Sequence, residues 1–168
     1  MNINNSLEGF DRVWDRVMKD EARRPHPPRP PKPPEAKCEC EGLRRFMDGA
    51  AQSAEVYRAL ARRCRSRRDA AAFSQMSRDE SEMLRELQSA YFLMTGDSYR
   101  PHTHPVPREG MLTAMREQYR REQKSAEMYE DAVRENKISN ISALCKKNIA
   151  IERRHGEILL RMINSVMR

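Results

Sequence analysis

All ten prolines of this 168-residue chain fall in two stretches, 25–34 and 101–107. Proline lacks a backbone donor and clashes with the preceding turn, so helix interiors exclude it. The proline-free segments that remain are long enough for four helices. Charged residues are 34% of the chain and aromatic residues 6%, the balance expected of long helices with solvated outer faces. Apolar residues at alternating steps of three and four confirm the period. They predict helix one over about 41–64, helix two over about 68–95, helix three over about 109–135 and helix four from about 140 to the C-terminus. The fold class is all-α. Only a few residues join helices one and two, so these are antiparallel neighbours, and Gly96 is a natural stop for helix two. Residues 97–108 are too long and too proline-rich for a tight turn and predict a crossover connection. Asn136 to Ser139 reads as a short turn before the last helix.

The two halves of this region echo one another without a gap at an offset of 72 residues. Ser53-Ala54-Glu55-Val56-Tyr57 returns as Ser125-Ala126-Glu127-Met128-Tyr129. In the same frame Glu80 falls on Glu152, Met83 on His155, Leu87 on Leu159 and Ala50 on Glu122. Residues 43–96 and 115–168 are thus two versions of one helix hairpin.

The inner seam of helix four reads Ile141, Cys145, Asn148, Glu152, His155, Leu159, Met162, Val166. A carboxylate and an imidazole, one turn apart, stand where a plain bundle would place leucine. Charge on an inward face is costly unless it is paired or holds a metal. Glu-x-x-His is also the spacing with which one helix offers an oxygen and a nitrogen to a cation inside a four-helix bundle. Glu80 and Glu122 lie on the predicted seams of helices two and three.

These positions, with Leu-Gln-Ser-Ala-Tyr-Phe-Leu-Met-Thr-Gly at 87–96, resemble the ferritin-like superfamily, and most closely its rubrerythrin-related branch. The resemblance covers the last three quarters of the chain. It implies a ferritin-like four-helix bundle, two hairpins joined by a long crossover, and a centre of two metal ions held by one Glu from each of two helices and Glu-x-x-His from each of the others. Carried over by position, the metal ligands are Glu80, Glu122, Glu152 and His155. The sequence departs from the pattern at Ala50, where the family has Glu, and at Met83, where it has His. Ala50 offers no ligand atom and Met83 a soft thioether, poorly suited to iron among oxygen donors. The expectation is a degenerate centre holding a single ion, iron or else Mn or Zn. Tyr57, Tyr129 and Met83 are expected to surround it, the two phenols hydrogen-bonded to the carboxylates. The same side chains can instead form a metal-free polar cluster, with Glu80 or Glu122 protonated or paired to His155.

Ahead of the bundle, residues 1–22 carry Leu7, Phe10, Val13, Trp14, Val17 and Met18 at helical spacing. An amphipathic helix over 6–22 fits packing on the bundle, on a second subunit or on a protein partner. Its polar face mixes both signs, unlike a membrane-surface helix. Residues 23–40 form a basic, proline-rich linker, so the domains read 1–22, 23–40 and 41–168. No stretch approaches the apolar length of a membrane span. Four cysteines without framework or zinc-clip spacing, and no secretory signal, point to a reducing, cytoplasmic setting. Net charge is +7, but without interleaved aromatics or a nucleic-acid motif the basic run at 62–68 reads as a solvated helix end. His102 and His104, in the crossover, read as exposed. Two functions follow. One is a metal-binding protein of iron or peroxide/oxygen handling, a homo-oligomer and most simply a dimer. The other is a non-catalytic bundle that has lost metal and docks through its N-terminal helix.

Overall fold

The computed structural model describes residues 34–134 and 141–167, with side chains from residue 40 onward. The readings of 6–22 as an amphipathic helix, of 23–33 as a tether and of 136–139 as a turn lie outside the described residues. The described residues form four helices: α1, Pro34–Arg63; α2, Arg67–Thr95; α3, Met111–Arg134; and α4, Ser142–Val166. None is long and apolar enough to cross a membrane.

α1 begins at Pro34, about seven residues earlier than the periodicity indicated. The last proline of the linker fits the first helical position, where its missing N–H is not needed. Glu35 to Glu41 then continue without a breaker. α2 is capped at both ends as its sequence suggests. The Ser66 hydroxyl accepts from the Asp69 N–H at 3.2 Å, and Gly96 takes the left-handed conformation at φ 70°, its N–H bonding to the Phe92 carbonyl.

Side-chain pairs fix the helix directions. Ser77 reaches the Ala54 carbonyl across α1–α2, Arg154 pairs with Asp79 across α2–α4, and Glu152 with Ser125 across α3–α4. Phe46 stacks on Tyr129 across α1–α3. Paired with the contacts nearer the other end of each helix, such as Arg44–Tyr91 and Lys147–Glu86, these make every neighbouring pair antiparallel. α2 and α3 are diagonal and parallel, as a long crossover requires.

That crossover is laid along α1 by hydrogen bonds. Asp48 accepts from the Tyr99 hydroxyl at 3.1 Å and the His102 N–H at 2.7 Å. The Gln52 amide pairs with both backbone groups of His104. Arg63 donates to the Glu109 carbonyl. The strap therefore runs from the middle of α1, at Asp48, to its C-terminal end at Arg63, where α3 begins. His102 is exposed, its side chain 79% accessible.

The core has two apolar clusters. One gathers Leu43, Phe46, Met47, Ala50, Met83, Leu87, Tyr91, Tyr129 and Cys145. The other gathers Val56, Tyr57, Leu60, Phe73, Met76, Met115, Leu159 and Ile163. The predicted seams hold through the middle of each helix and drift at the ends. On α4 the buried positions run to Gly156, Leu159 and Ile163, while Val166 is 59% exposed. A strict three-four alternation slips about 20° per heptad against a straight helix, which moves the seam by one residue.

Candidate metal centre

Each helix of the second hairpin, and α2 of the first, turns its acid inward. Glu80 on α2, Glu122 on α3, and Glu152 and His155 on α4 are all 3% exposed or less. One ligand atom from each lies within 4.8 Å of every other. The four residues inferred from the sequence are thus brought together in one buried group, which could hold a metal ion.

His155 is engaged at both nitrogens. Nδ1 faces Glu80 Oε1 at 3.1 Å and Glu122 Oε2 at 3.5 Å, while Nε2 faces Asp79 Oδ2 at 3.2 Å. Burial alone would push the imidazole toward the neutral form. The hydrogen bonds and negative charge of Glu122 and Glu80 outweigh it and raise its pKa to about 10. With carboxylate oxygens facing both nitrogens, the surroundings of His155 in the metal-free protein favour the imidazolium form.

The three acids differ. Burial drives Glu80 up to about 7, against the pull of His155. Burial also drives Glu152 well above the ordinary carboxylate range, and the neighbouring Glu122 adds to it. Glu122 moves the other way. Its burial is outweighed by hydrogen bonds from Glu152, His155 and Tyr57. Of the three acids, Glu152 thus most favours the protonated form and Glu122 most favours the charged one. The remaining donors are aimed at fixed oxygens: Tyr57 Oη and Gln118 Nε2 at Glu122 Oε1, at 2.7 and 2.6 Å, and Ser125 Oγ at Glu152 Oε1, at 2.6 Å.

The donor set fits a hard or borderline divalent ion, with three carboxylates and one imidazole. Glu80 Oε2 is buried without a hydrogen-bond partner, and Glu122 Oε2 has only the long 3.5 Å approach of His155 Nδ1. A cation would satisfy both; a purely structural cluster leaves Glu80 Oε2 bare.

The positions of the missing ligands are as informative. Ala50 and Met83 are buried, 4% and 1% exposed, in the apolar cluster at one side of the acids. The expectation that both tyrosines bond carboxylates holds for Tyr57 and fails for Tyr129. The Tyr129 hydroxyl donates instead to Met83 Sδ, at 3.4 Å. With alanine at position 50 no carboxylate is there to receive it. Cys145, fully buried, has its thiol pushed up to about 11 by burial, so it stays protonated and inert.

Sequence reasoning missed two contributors. Asp79 precedes Glu80, off the inferred seam, yet its carboxylate holds His155 Nε2 and pairs with Arg154 at 2.7 Å. Arg154 does point away from the seam, but it acts on the centre through Asp79. Gln118 lies one turn before Glu122 and could have been found as a polar residue on the α3 seam.

No curated protein and no solved structure matches the chain. Residues 44–163, more than half of the chain, match the family model described as Rubrerythrin, and that span contains the inward acids of α2, α3 and α4 and the His155 imidazole. The four-helix architecture, the hairpin repeat and this match together place the chain in the rubrerythrin family.

Proposed function

We propose that the chain is a rubrerythrin-related metal-binding protein whose centre holds a single divalent ion, iron or else Mn or Zn, in iron or peroxide/oxygen handling. The observation that supports it most is the convergence of Glu80, Glu122, Glu152 and His155 within 4.8 Å while the buried Glu80 Oε2 lacks a partner. Glu80, Glu122 and Glu152 would supply oxygen ligands and His155 Nδ1 the nitrogen. A bound ion would supply Lewis acidity and, if iron, one-electron redox capacity. Everything else is done by the chain. Tyr57 and Gln118 hold Glu122, Ser125 holds Glu152, and Asp79 keeps the Nε2 proton so that Nδ1 faces the acids. Loading must displace the Nδ1 proton of His155 and the proton on Glu152, so binding releases protons and strengthens as pH rises. Calorimetry in buffers of different ionisation enthalpy tests this: an enthalpy independent of buffer would contradict it.

The rest of the reading follows the family. A homo-oligomer, most simply a dimer, is tested by sedimentation velocity. A cytoplasmic setting accords with cysteines that carry no framework spacing. The N-terminal helix and its proline linker are proposed as a docking arm.

One observation favours the second reading, a bundle without metal used for interaction. The cluster is nearly self-satisfied through the His155–Glu80 pair and the Glu122–Glu152 hydrogen bond. Unchanged thermal stability on adding Fe, Mn or Zn to chelator-treated protein would select it.

A further inference from the structure

Met83 places a thioether beside the centre, and although the residue is buried it borders a cavity. A cavity of about 510 Å³ opens between α2 and α4, lined by Asp79, Glu82, Met83, Lys147, Ile151 and Arg154. Met83 is only 1% exposed, so any reagent reaching its sulfur must be about as small as water. The Tyr129 hydroxyl already donates to that sulfur. Asn148, fully buried on α4 one turn before Glu152, faces Tyr129 as a hydrogen-bonding neighbour. A residue with a soft, nucleophilic sulfur thus lines a solvent-connected cavity, with a phenol and an amide on its buried side.

We propose that Met83 is a sulfoxidation site, taking one oxygen atom from hydrogen peroxide that enters through the α2–α4 cavity. A sulfur lone pair attacks one peroxide oxygen; the S–O bond forms as the O–O bond breaks. The proton on the transferred oxygen passes to the departing hydroxide, which leaves as water. Sulfur is oxidised by two electrons and the peroxide is reduced by two. The new oxygen is a stronger acceptor for the Tyr129 hydroxyl than the thioether that now receives it. Methionine sulfoxide is reversible by dedicated reductases, so position 83 can cycle. The reaction needs no metal and stands apart from the function proposed above. Only one consequence rests on that function: a hard sulfoxide oxygen replaces a soft sulfur at the position where the family pattern has a ligand.

The test uses the full chain, stripped with chelator and exposed briefly to limiting hydrogen peroxide, followed by tryptic mass mapping. Residues 79–85, 46–58 and 69–78 are tryptic segments with one methionine each, Met83, Met47 and Met76. All three are equally buried, at 1%, 0% and 1% exposed, but of the three only Met83 lines the cavity. The expected result is oxidation of Met83 at least about threefold faster than of Met47 and Met76, since susceptibility follows access. Ala150→Trp, at the exposed cavity wall, should bring Met83 down to the rate of the other two while helicity by circular dichroism stays unchanged. Equal rates for the three methionines in the native chain overturn the proposal. So does a fast Met83 rate that the Ala150→Trp plug leaves untouched in a folded variant.

Discussion

The two hairpins carry the same frame, and at the bundle centre they do opposite things with it. In the second, Gln118, Glu122 and His155 face inward. In the first, the residues 72 positions earlier are Phe46, Ala50 and Met83, also buried. The hydrogen bonds split accordingly. Tyr57 donates to Glu122 across the bundle, but its counterpart Tyr129 donates to a thioether and stacks on Phe46, ring centroids 4.1 Å apart. Ser125 donates to Glu152, whereas Ser53 receives the Gln118 amide. Asp79, which holds His155, has Ile151 as its counterpart, so the outer support also exists for one imidazole only. The first hairpin's half of the frame is apolar core at Ala50 and Met83, while the second hairpin's half presents acids that Glu80 meets from α2. The lesson is that a repeat preserves geometry more stubbornly than chemistry.

Making the halves alike in either direction is the strongest way to break this comparison. His155→Met copies the first hairpin into the second. It removes the cation that pairs with Glu80 and Glu122, and the metal-free protein should lose about 3 kcal/mol, the lower end for breaking a buried pair, by urea denaturation at neutral pH. Bound metal should vanish with it. The reverse copy, Ala50→Glu with Met83→His, restores the family's full set and should raise metal content from one ion per chain toward two.

Asp79→Asn sharpens the comparison at its outer layer. It keeps the size of the side chain but loses the charge that holds Nε2–H of His155. Metal affinity should fall roughly 10- to 100-fold, the usual cost of losing such a support. Competition with a chromophoric chelator measures it, and an unchanged affinity would show that His155 is positioned by Glu80 and Glu122 alone.

The pH dependence of the chelator-treated protein follows from the raised pKa values. His155 is raised to about 10, so its contribution is full below the unfolded histidine value and is lost as pH rises toward 10. Glu80 is raised to about 7, so the folded state binds the extra proton between the ordinary carboxylate value and 7, and stability falls with pH across that window. Each unit of difference is worth about 1.4 kcal/mol. Glu122, held low, works in the opposite sense, losing its contribution as acid is added below the ordinary range. The urea midpoint should therefore decline from about pH 5 to about pH 10, and saturating metal should flatten that decline.

The tyrosine pair gives the smallest effect. Tyr57→Phe leaves Glu122 Oε1 short of a buried charged hydrogen bond and should cost about 2 kcal/mol. Tyr129→Phe removes only a weak bond to sulfur and should cost less than about 1 kcal/mol. Equal costs would mean that the two halves are not as different as their hydrogen bonds indicate.

The helices, the crossover and the four inward side chains were legible because each is local: proline placement, a three-four period and a 72-residue echo need no tertiary information. What escaped was set by partners on other helices. Tyr129 reads like Tyr57 in sequence, and only the loss of a carboxylate at position 50 on a neighbouring helix redirects it. Asp79 lies off the α2 seam, and its value to His155 depends on how α2 and α4 are rotated against each other. The early start of α1 escaped because a proline-rich run looks like linker until its last proline is recognised as a helix opener. The one-residue slip of the α4 seam is the accumulated mismatch between a seven-residue repeat and a straight helix.

Elemental analysis of the purified full chain, expressed with iron, manganese and zinc supplied, addresses the centre most directly when done beside Glu152→Gln, which removes one carboxylate charge at nearly constant shape. Close to one divalent ion per native chain, with the variant empty and still folded, is the outcome predicted here. A native chain without metal, or a variant that keeps its ion, would contradict the assignment of Glu80, Glu122, Glu152 and His155 as ligands.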